Sequence, residues 1–169
     1  MEGTEWIQVG TAIANTPRSL ASFKGDIFLG AGSGHIYRWT GSTWSPVHDM
    51  GNDIRDMVIF NDALFALAED GSVDYTTDGT TWNSSRTGSA TMAWRLISYN
   101  GKLFAAVNED TVKILEFDGT TWSHSVSFGV TASSDEYVSL TIHRGLLYAT
   151  LKNWVLEYNG VSWKSLPNS

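Results

Sequence analysis

The chain of 169 residues contains no cysteine, which excludes disulfide bridges and thiolate metal sites. No apolar run approaches the roughly 20 residues that a membrane-spanning helix needs. The first five residues have neither the basic flank nor the hydrophobic stretch of a secretory signal. We therefore expect a soluble protein, and its compartment stays unknown from the sequence.

Positive charge is also scarce, because 11 Lys and Arg residues face 18 Asp and Glu residues, giving a formal net charge of −7. Binding to nucleic acid begins with neutralisation of phosphates by Lys and Arg, so this balance argues against a nucleic-acid partner. The four histidines have no metal-ligand spacing, and the sequence has no glycine-rich phosphate loop ending in lysine. We therefore predict no cofactor and no metal.

What the chain does have is tryptophan, and it repeats. Eight tryptophans are present, and five of them end the same four-residue motif, a glycine followed by two small or polar residues and the tryptophan; this motif is called the phrase below. The phrase occupies residues 3–6, 41–44, 79–82, 119–122 and 160–163. The tryptophans follow one another at intervals of 38 to 41 residues, which indicates an array of similar structural units.

Each unit contains two short apolar runs around a two-residue turn, then an alternating strand, a glycine turn and the tryptophan. Turn pairs such as Asn100-Gly101 favour β-hairpins, and alternation with a period of two indicates a half-buried strand. Each unit is therefore predicted to be a four-stranded antiparallel meander. The predicted segments are an N-terminal tryptophan strand at 4–10 and blades at approximately 18–48, 54–86, 94–127 and 137–167.

A single sheet cannot bury both of its faces, and stacking similar sheets around an axis solves that problem. We therefore predict an all-β protein, a single β-propeller domain of about four four-stranded blades with an extra N-terminal outer strand. A β-sandwich and an open β-solenoid are the alternatives. In the propeller the repeated tryptophans pack blade against blade. His143 stands where the other units have Phe23, Phe60 and Tyr99, and it is expected to be a packed substitute for an aromatic residue.

The phrase followed by a strand such as Trp6-Ile7-Gln8-Val9-Gly10 resembles tectonin and tachylectin-like propellers. The turn at residues 76–82, Thr-Thr-Asp-Gly-Thr-Thr-Trp, resembles the Asp-box of sialidase-like propellers, although it is one residue shorter between Asp and Trp. Residues 117–122 carry the same Asp-box-like pattern. This resemblance spans essentially the whole chain, and it implies a lectin-like propeller that binds carbohydrate or a glycosylated surface.

The five tryptophan strands outnumber the four sets of other strands by one. The strand around Trp6 therefore has three placements: an additional outer strand, a strand paired with a neighbouring subunit, or the remainder of a longer array. The second placement predicts a homo-oligomer formed through the N-terminal strand. The sequence does not choose among the three.

A ligand site is expected near the axis, where the loops that lead into the first strands share one face with the loops between the second and third strands. Arginine can grip a polar ligand through paired hydrogen bonds, and exposed indoles can stack on a sugar. The predicted ligand-binding residues are Arg18, Arg55, Trp94, Arg95 and Trp154. The alternatives are a rim of solvated ion pairs for the charged residues and blade packing for Trp94.

No catalytic group of residues is recognisable, because glycosidase chemistry needs two carboxylates flanking one bond and no such pair stands out. We therefore predict a non-enzymatic binding module, with carbohydrate as the expected ligand. A structural or protein-interaction propeller that assembles into an oligomer or larger particle is the alternative. A hydrolase is the least favoured of the three hypotheses.

Overall fold

The computed structural model describes residues 8, 10–131 and 137–166. In these residues four antiparallel sheets of four strands each follow one another along the chain. The strands of the first two sheets are β1 (Pro17–Phe23), β2 (Asp26–Ala31), β3 (His35–Trp39), β4 (Trp44–Asp49), β5 (Ile54–Phe60), β6 (Ala63–Ala68), β7 (Val73–Thr76) and β8 (Trp82–Arg86). Those of the last two are β9 (Met92–Tyr99), β10 (Lys102–Asn108), β11 (Thr111–Phe117), β12 (Trp122–Thr131), β13 (Val138–His143), β14 (Leu146–Leu151), β15 (Trp154–Tyr158) and β16 (Trp163–Ser165).

The hairpin between the first and second strands of every sheet turns through two residues with positive φ. This backbone matches the right-handed twist of the flanking strands and is favoured by Asn, Asp and Gly. The turn pairs are Lys24-Gly25, Asn61-Asp62, Asn100-Gly101 and Arg144-Gly145. The predicted all-β fold of repeated four-stranded units is confirmed. Most of the predicted N-terminal strand at 4–10 lies outside the described residues.

Hydrophobic clusters between neighbouring sheets form the core. One cluster joins the first and second sheets, another the second and third, and a third the third and fourth. Trp82, Trp122 and Trp163 each pack against the cluster shared with the preceding sheet, as the repeat predicts. Trp6 lies outside the described residues.

The four first strands lie next to one another and so mark the inner side of the propeller. Strand β1 contacts β5, β5 contacts β9, and β9 contacts β13, whereas among the described residues β13 and β1 lack a comparable contact. The exposed fraction of Leu20 is 65%, although its counterparts Met57, Leu96 and Leu140 are buried. The four blades therefore form an open arc whose first and last sheets do not close on each other.

Two details of the structure go beyond the sequence predictions. The ring of His143 lies 6.5 Å from that of Tyr148, as the ring of Phe23 lies 6.3 Å from that of Phe28 in the first sheet, but His143 is exposed because no further sheet among the described residues covers this face. The third blade is predicted to end at approximately residue 127, and β12 continues to Thr131. Val126, Phe128 and Val130 alternate along this extension and pack against the cluster shared with the fourth sheet, which explains why the strand is longer.

Candidate functional site

Three of the predicted site residues occupy the same irregularity in three successive inner strands. The register between the first and second strands shifts by one residue at Arg18 in β1, at Arg55 in β5 and at Trp94 in β9. Such a β-bulge leaves one residue unpaired and redirects its side chain. The pairing of β13 with β14 shows no shift, so Val138, the fourth repeat counterpart, stays in the ladder.

The bulge residues line a pocket of about 540 Å³ that takes side chains from all four sheets. Its lining residues are Arg18, Arg55, Trp94, Arg95, Tyr137, Val138, Ser139 and Thr150. Four of the five predicted ligand-binding residues are therefore brought together. The fifth, Trp154, does not line this pocket and begins β15 with 51% of its surface exposed.

Arg18 is held by a carboxylate that also orders a neighbouring loop. Its Nη2 lies 2.8 Å from Oδ2 of Asp53, and the other carboxylate oxygen accepts a 2.7 Å hydrogen bond from the backbone N–H of Ser33. The Ser33 hydrogen bond, followed by the charge of Arg18, lowers the pKa of Asp53 against the opposing effect of burial. A loop that leads into a first strand thus meets a loop between a second and a third strand, as the sequence predicts.

Arg55 lies deeper in the pocket and makes three contacts. Its Nη2 is 2.7 Å from Oε2 of Glu69 and 3.0 Å from the sulfur of Met92, and its guanidinium carbon is 5.9 Å from the ring centroid of Trp94. Both Arg55 Nε and Trp94 Nε1 are buried without an acceptor among the described residues. Buried donors of this kind cost free energy unless an acceptor reaches them.

The aromatic part of the pocket is a pair. The ring centroids of Trp94 and Tyr137 lie 4.3 Å apart at an interplanar angle of 37°, and Tyr137 is 71% exposed. Trp94 also packs against the cluster between the third and fourth sheets, so it has both a packing and a surface role. Sequence reasoning missed Tyr137. An aromatic residue directly before the fourth inner strand, one position ahead of the bulge positions, was the available signal.

Arg95 links two inner strands at the edge of the pocket. Its Nη1 is 3.6 Å from Oδ2 of Asp56, and the same oxygen accepts a 3.0 Å hydrogen bond from the backbone N–H of Leu96. Burial raises the pKa of Asp56, and the Leu96 hydrogen bond and the Arg95 charge only partly offset it. Asp56 does not line the pocket, so it holds β5 to β9 and is not presented to a ligand there.

Within the described residues, no group of three or more His, Asp or Glu side chains is arranged to hold a metal ion. The same residues contain no helix that is long and apolar enough to cross a membrane.

The pocket offers guanidinium groups, two aromatic rings and hydroxyls, together with the carboxylates of Asp53 and Glu69 behind them. Such a set can bind a polar ligand through stacking and hydrogen bonds.

A family model described as the DUF6242 beta propeller domain matches residues 35–135, which is more than half of the sequence. The chain belongs to the DUF6242 beta propeller domain family. The match covers the second and third sheets of this DUF6242 propeller completely and includes Arg55, Trp94 and Arg95 of the pocket. A comparison with curated proteins finds no match.

Solved structures of low sequence identity share the fold. YCF48 from Cyanidioschyzon merolae is 13% identical with a TM-score of 0.69, over 97% of this chain and 60% of that one. YCF48 bound to D1 peptide is 14% identical with a TM-score of 0.67, over 97% of this chain and 59% of that one. A chain of the nidogen/laminin complex is 14% identical with a TM-score of 0.67, over 92% of this chain and 66% of that one. The DUF6242 propeller thus spans 59 to 66% of the length of these chains, and the likeness concerns the fold alone.

Proposed function

We propose that the DUF6242 propeller is a non-enzymatic binding module and that the pocket of Arg18, Arg55, Trp94, Arg95 and Tyr137 binds carbohydrate. The observation that carries the proposal is the recurrence of the bulge. Three successive blades direct a large side chain, two arginines and a tryptophan, into one concavity. Bulges are often found beside binding sites, where they redirect a side chain.

The chemistry of the pocket suits a sugar. The Trp94–Tyr137 pair presents aromatic surface on which the apolar face of a sugar ring can stack. Sugar hydroxyls both donate and accept hydrogen bonds, and the pocket supplies donors on Arg18 and Arg95 with acceptors on Ser139 and Thr150. The tectonin and tachylectin-like resemblance of the repeats, with their Asp-box-like turns, points to the same ligand class, although it is analogy from fold.

A peptide is the second candidate ligand. One similar structure is YCF48 bound to D1 peptide, and another is the nidogen/laminin complex, so propellers of this likeness include ones in complex with peptide or protein. The arginines of the pocket could pair with a carboxylate of a peptide as readily as with an acidic sugar. This candidate keeps the protein-interaction alternative and uses the same pocket.

Binding to a glycan array, followed by calorimetric titration of the best ligand, tests the proposal. Trp94→Phe retains an aromatic ring for packing but removes the indole, whereas Tyr137→Ala and Arg18→Ala remove exposed contacts. We expect each of the two alanine variants to weaken binding by about 10-fold or more, the loss of roughly one good contact. Trp94→Phe is expected to have a smaller effect.

Trp154→Ala is the matched control, because Trp154 is an exposed tryptophan of the same chain that does not line the pocket. It is expected to leave the affinity unchanged. The peptide candidate is favoured if the array shows no bound glycan and if the wild type binds acidic peptides but the Arg18→Ala variant does not. Glycan binding that is equally strong in the wild type, Tyr137→Ala and Arg18→Ala rejects the pocket as the site.

A further inference from the structure

The two ends of the arc present unlike sheet faces. The second and third sheets each pack one face onto the preceding sheet and the other face onto the following sheet, and the three hydrophobic clusters consist of such pairs of faces. Among residues 8, 10–131 and 137–166, no sheet packs on the outer face of the first sheet or on the outer face of the fourth. The described residues therefore leave one face of each kind uncovered.

On the first sheet the uncovered face retains the side chains of a packed interface. Leu20 is 65% and Ile27 44% exposed, whereas the repeat counterparts of Ile27, Leu64, Leu103 and Leu147, are fully buried. A Cβ on Gly79 would lie 2.8 Å from Cζ of Phe28 in the preceding sheet, but one on the equivalent Gly41 would meet no atom within 4 Å. The side chains on this face are therefore of the same kind as those in the three interfaces between sheets, but here no preceding sheet among the described residues buries them.

The N-terminal segment touches this face at its outer part. Asn15 Nδ2 donates a 2.9 Å hydrogen bond to the hydroxyl of Tyr37, and a Cβ on Gly10 would contact the indole of Trp39. Both contacts are with β3. Leu20 in β1 and Ile27 in β2 stay exposed beside them, so the inner half of the face is open.

The uncovered face of the fourth sheet also matches its internal counterparts. Val155 is 36% exposed where Ile36, Val73 and Ile114 are fully buried. The ion pair between Glu157 and Lys164 on this sheet has an equivalent on the same face of sheets that are covered.

These equivalents are the pair of Asp26 with Arg38 at 2.7 Å and the pair of Lys102 with Glu116 at 2.9 Å. Both lie on the face that meets the following sheet. A charged pair at this place is therefore compatible with a packed interface and is not the sign of a solvent-facing cap.

We propose that a second copy of this chain covers both faces, so that the fourth sheet of each copy packs on the first sheet of the other. The three interfaces within the chain show which face fits which, and the intermolecular contact continues the same series. Rings of four to eight blades are typical. One copy does not close, two copies make a ring of eight blades, and three would exceed that range.

The repeat also supplies one specific contact between the copies. Inside the chain the Tyr99 hydroxyl donates a 2.8 Å hydrogen bond to the carbonyl of Gly145 in the first hairpin turn of the next sheet. His143 is the repeat counterpart of Tyr99, and Gly25 is that of Gly145. The imidazole of His143 in one copy therefore faces the turn at Gly25 of the other.

The mass of the full chain in solution, measured by size-exclusion chromatography with light scattering, tests the proposal. The wild type is expected to be a dimer. Leu20→Glu and Val155→Glu each place a charge in both interfaces of the ring, so each is expected to raise the dissociation constant by at least about 100-fold and give a monomer. Both side chains are exposed in the single chain, so the variants should fold, which circular dichroism and thermal unfolding check.

Ile59→Glu is the matched control, because Ile59 is 45% exposed on the second sheet and lies on neither end face. It is expected to leave the dimer intact. A monomeric wild type, or a dimer that survives both Leu20→Glu and Val155→Glu, overturns the proposal. If a dimer that survives both substitutions dissociates on removal of residues 1–9, the two copies pair through the N-terminal segment and not through the end sheets.

Discussion

Val47, Ser85 and Ser125 occupy the same bulge in β4, β8 and β12, and they decide whether the indole of the next sheet finds an acceptor. Trp122 Nε1 donates to Ser85 Oγ at 3.0 Å and Trp163 Nε1 to Ser125 Oγ at 2.8 Å. The side chain of Val47 has no oxygen that could accept such a hydrogen bond. Trp82 Nε1, the third member of the series, is buried without an acceptor among the described residues, although its ring stacks on His48 at 5.0 Å.

Replacement of Val47 tests this explanation. Val47→Ser supplies the missing acceptor, whereas Val47→Ala removes the same apolar surface without supplying one. We expect the serine variant to be more stable than the alanine variant by about 1 kcal/mol in urea unfolding, the usual value of one hydrogen bond. In a Trp82→Phe background the difference should vanish, because no donor remains. A difference that persists there would assign the gain to another cause.

At the scale of the element, the turn between the third and fourth strands is closed by one side chain. Asp78 accepts hydrogen bonds of 2.8 and 2.7 Å from the backbone N–H groups of Thr80 and Thr81, and Asp118 does the same with Thr120 and Thr121. The backbone hydrogen bonds from Thr81 and Thr80 lower the pKa of Asp78. The pKa of Asp118 is lowered first by a hydrogen bond from the Thr120 hydroxyl and then by the backbone N–H groups. In the fourth sheet, uncharged Asn159 makes the equivalent bonds.

The lowered pKa values predict the pH dependence of stability. A carboxyl whose pKa falls on folding contributes stability above its unfolded pKa of about 3.9, and that contribution is lost as the pH falls through the folded value. Asp78→Asn combined with Asp118→Asn keeps the acceptors, as Asn159 does, so stability at pH 7 should be little changed. The free energy of unfolding of this double variant should fall less steeply with decreasing pH than that of the wild type, as measured by urea unfolding at a series of pH values. Asp118→Ala should already be destabilised at pH 7. An acid dependence identical to the wild type contradicts the assignment.

Local elements were predictable because each has its signal in adjacent residues. The hairpin pairs, the glycine turns and the start of each fourth strand at a tryptophan all follow from spacing within one unit. The bulges at Arg18, Arg55 and Trp94 depend on the register with a second strand, which spacing along one strand does not encode. The sequence nevertheless singles out four of the residues that line the pocket, since they share one repeat position or adjoin it. The repeat counterparts of Tyr137 are Pro17, Ile54 and Ala93, none of them aromatic, so the repeat gives no signal for it and it was missed.

For the whole molecule, the angle between sheets decides whether four blades close, and no local motif specifies that angle. The sequence therefore predicts the number of blades, whereas the open arc is visible only in the contacts of β1 and β13 with their neighbours. Each sheet of a repeat protein is stabilised chiefly by the sheets next to it. The second and third sheets are covered on both faces, and the first and fourth on one.

This arrangement predicts graded protection from hydrogen exchange in the single chain. Opening of an end sheet breaks one hydrophobic interface, whereas opening of a middle sheet breaks two, so amides of β5–β7 and β9–β11 should exchange more slowly than those of β1–β3 and β13–β15. The measurement is native-state exchange with mass spectrometry on the monomeric Leu20→Glu variant, so that a second copy does not protect the ends. Restored protection of β1 and β13 in the wild type at high concentration would show the ends being covered. Uniform protection of all four sheets in the monomer would mean that the first and last sheets cover each other, and the arc would then be closed.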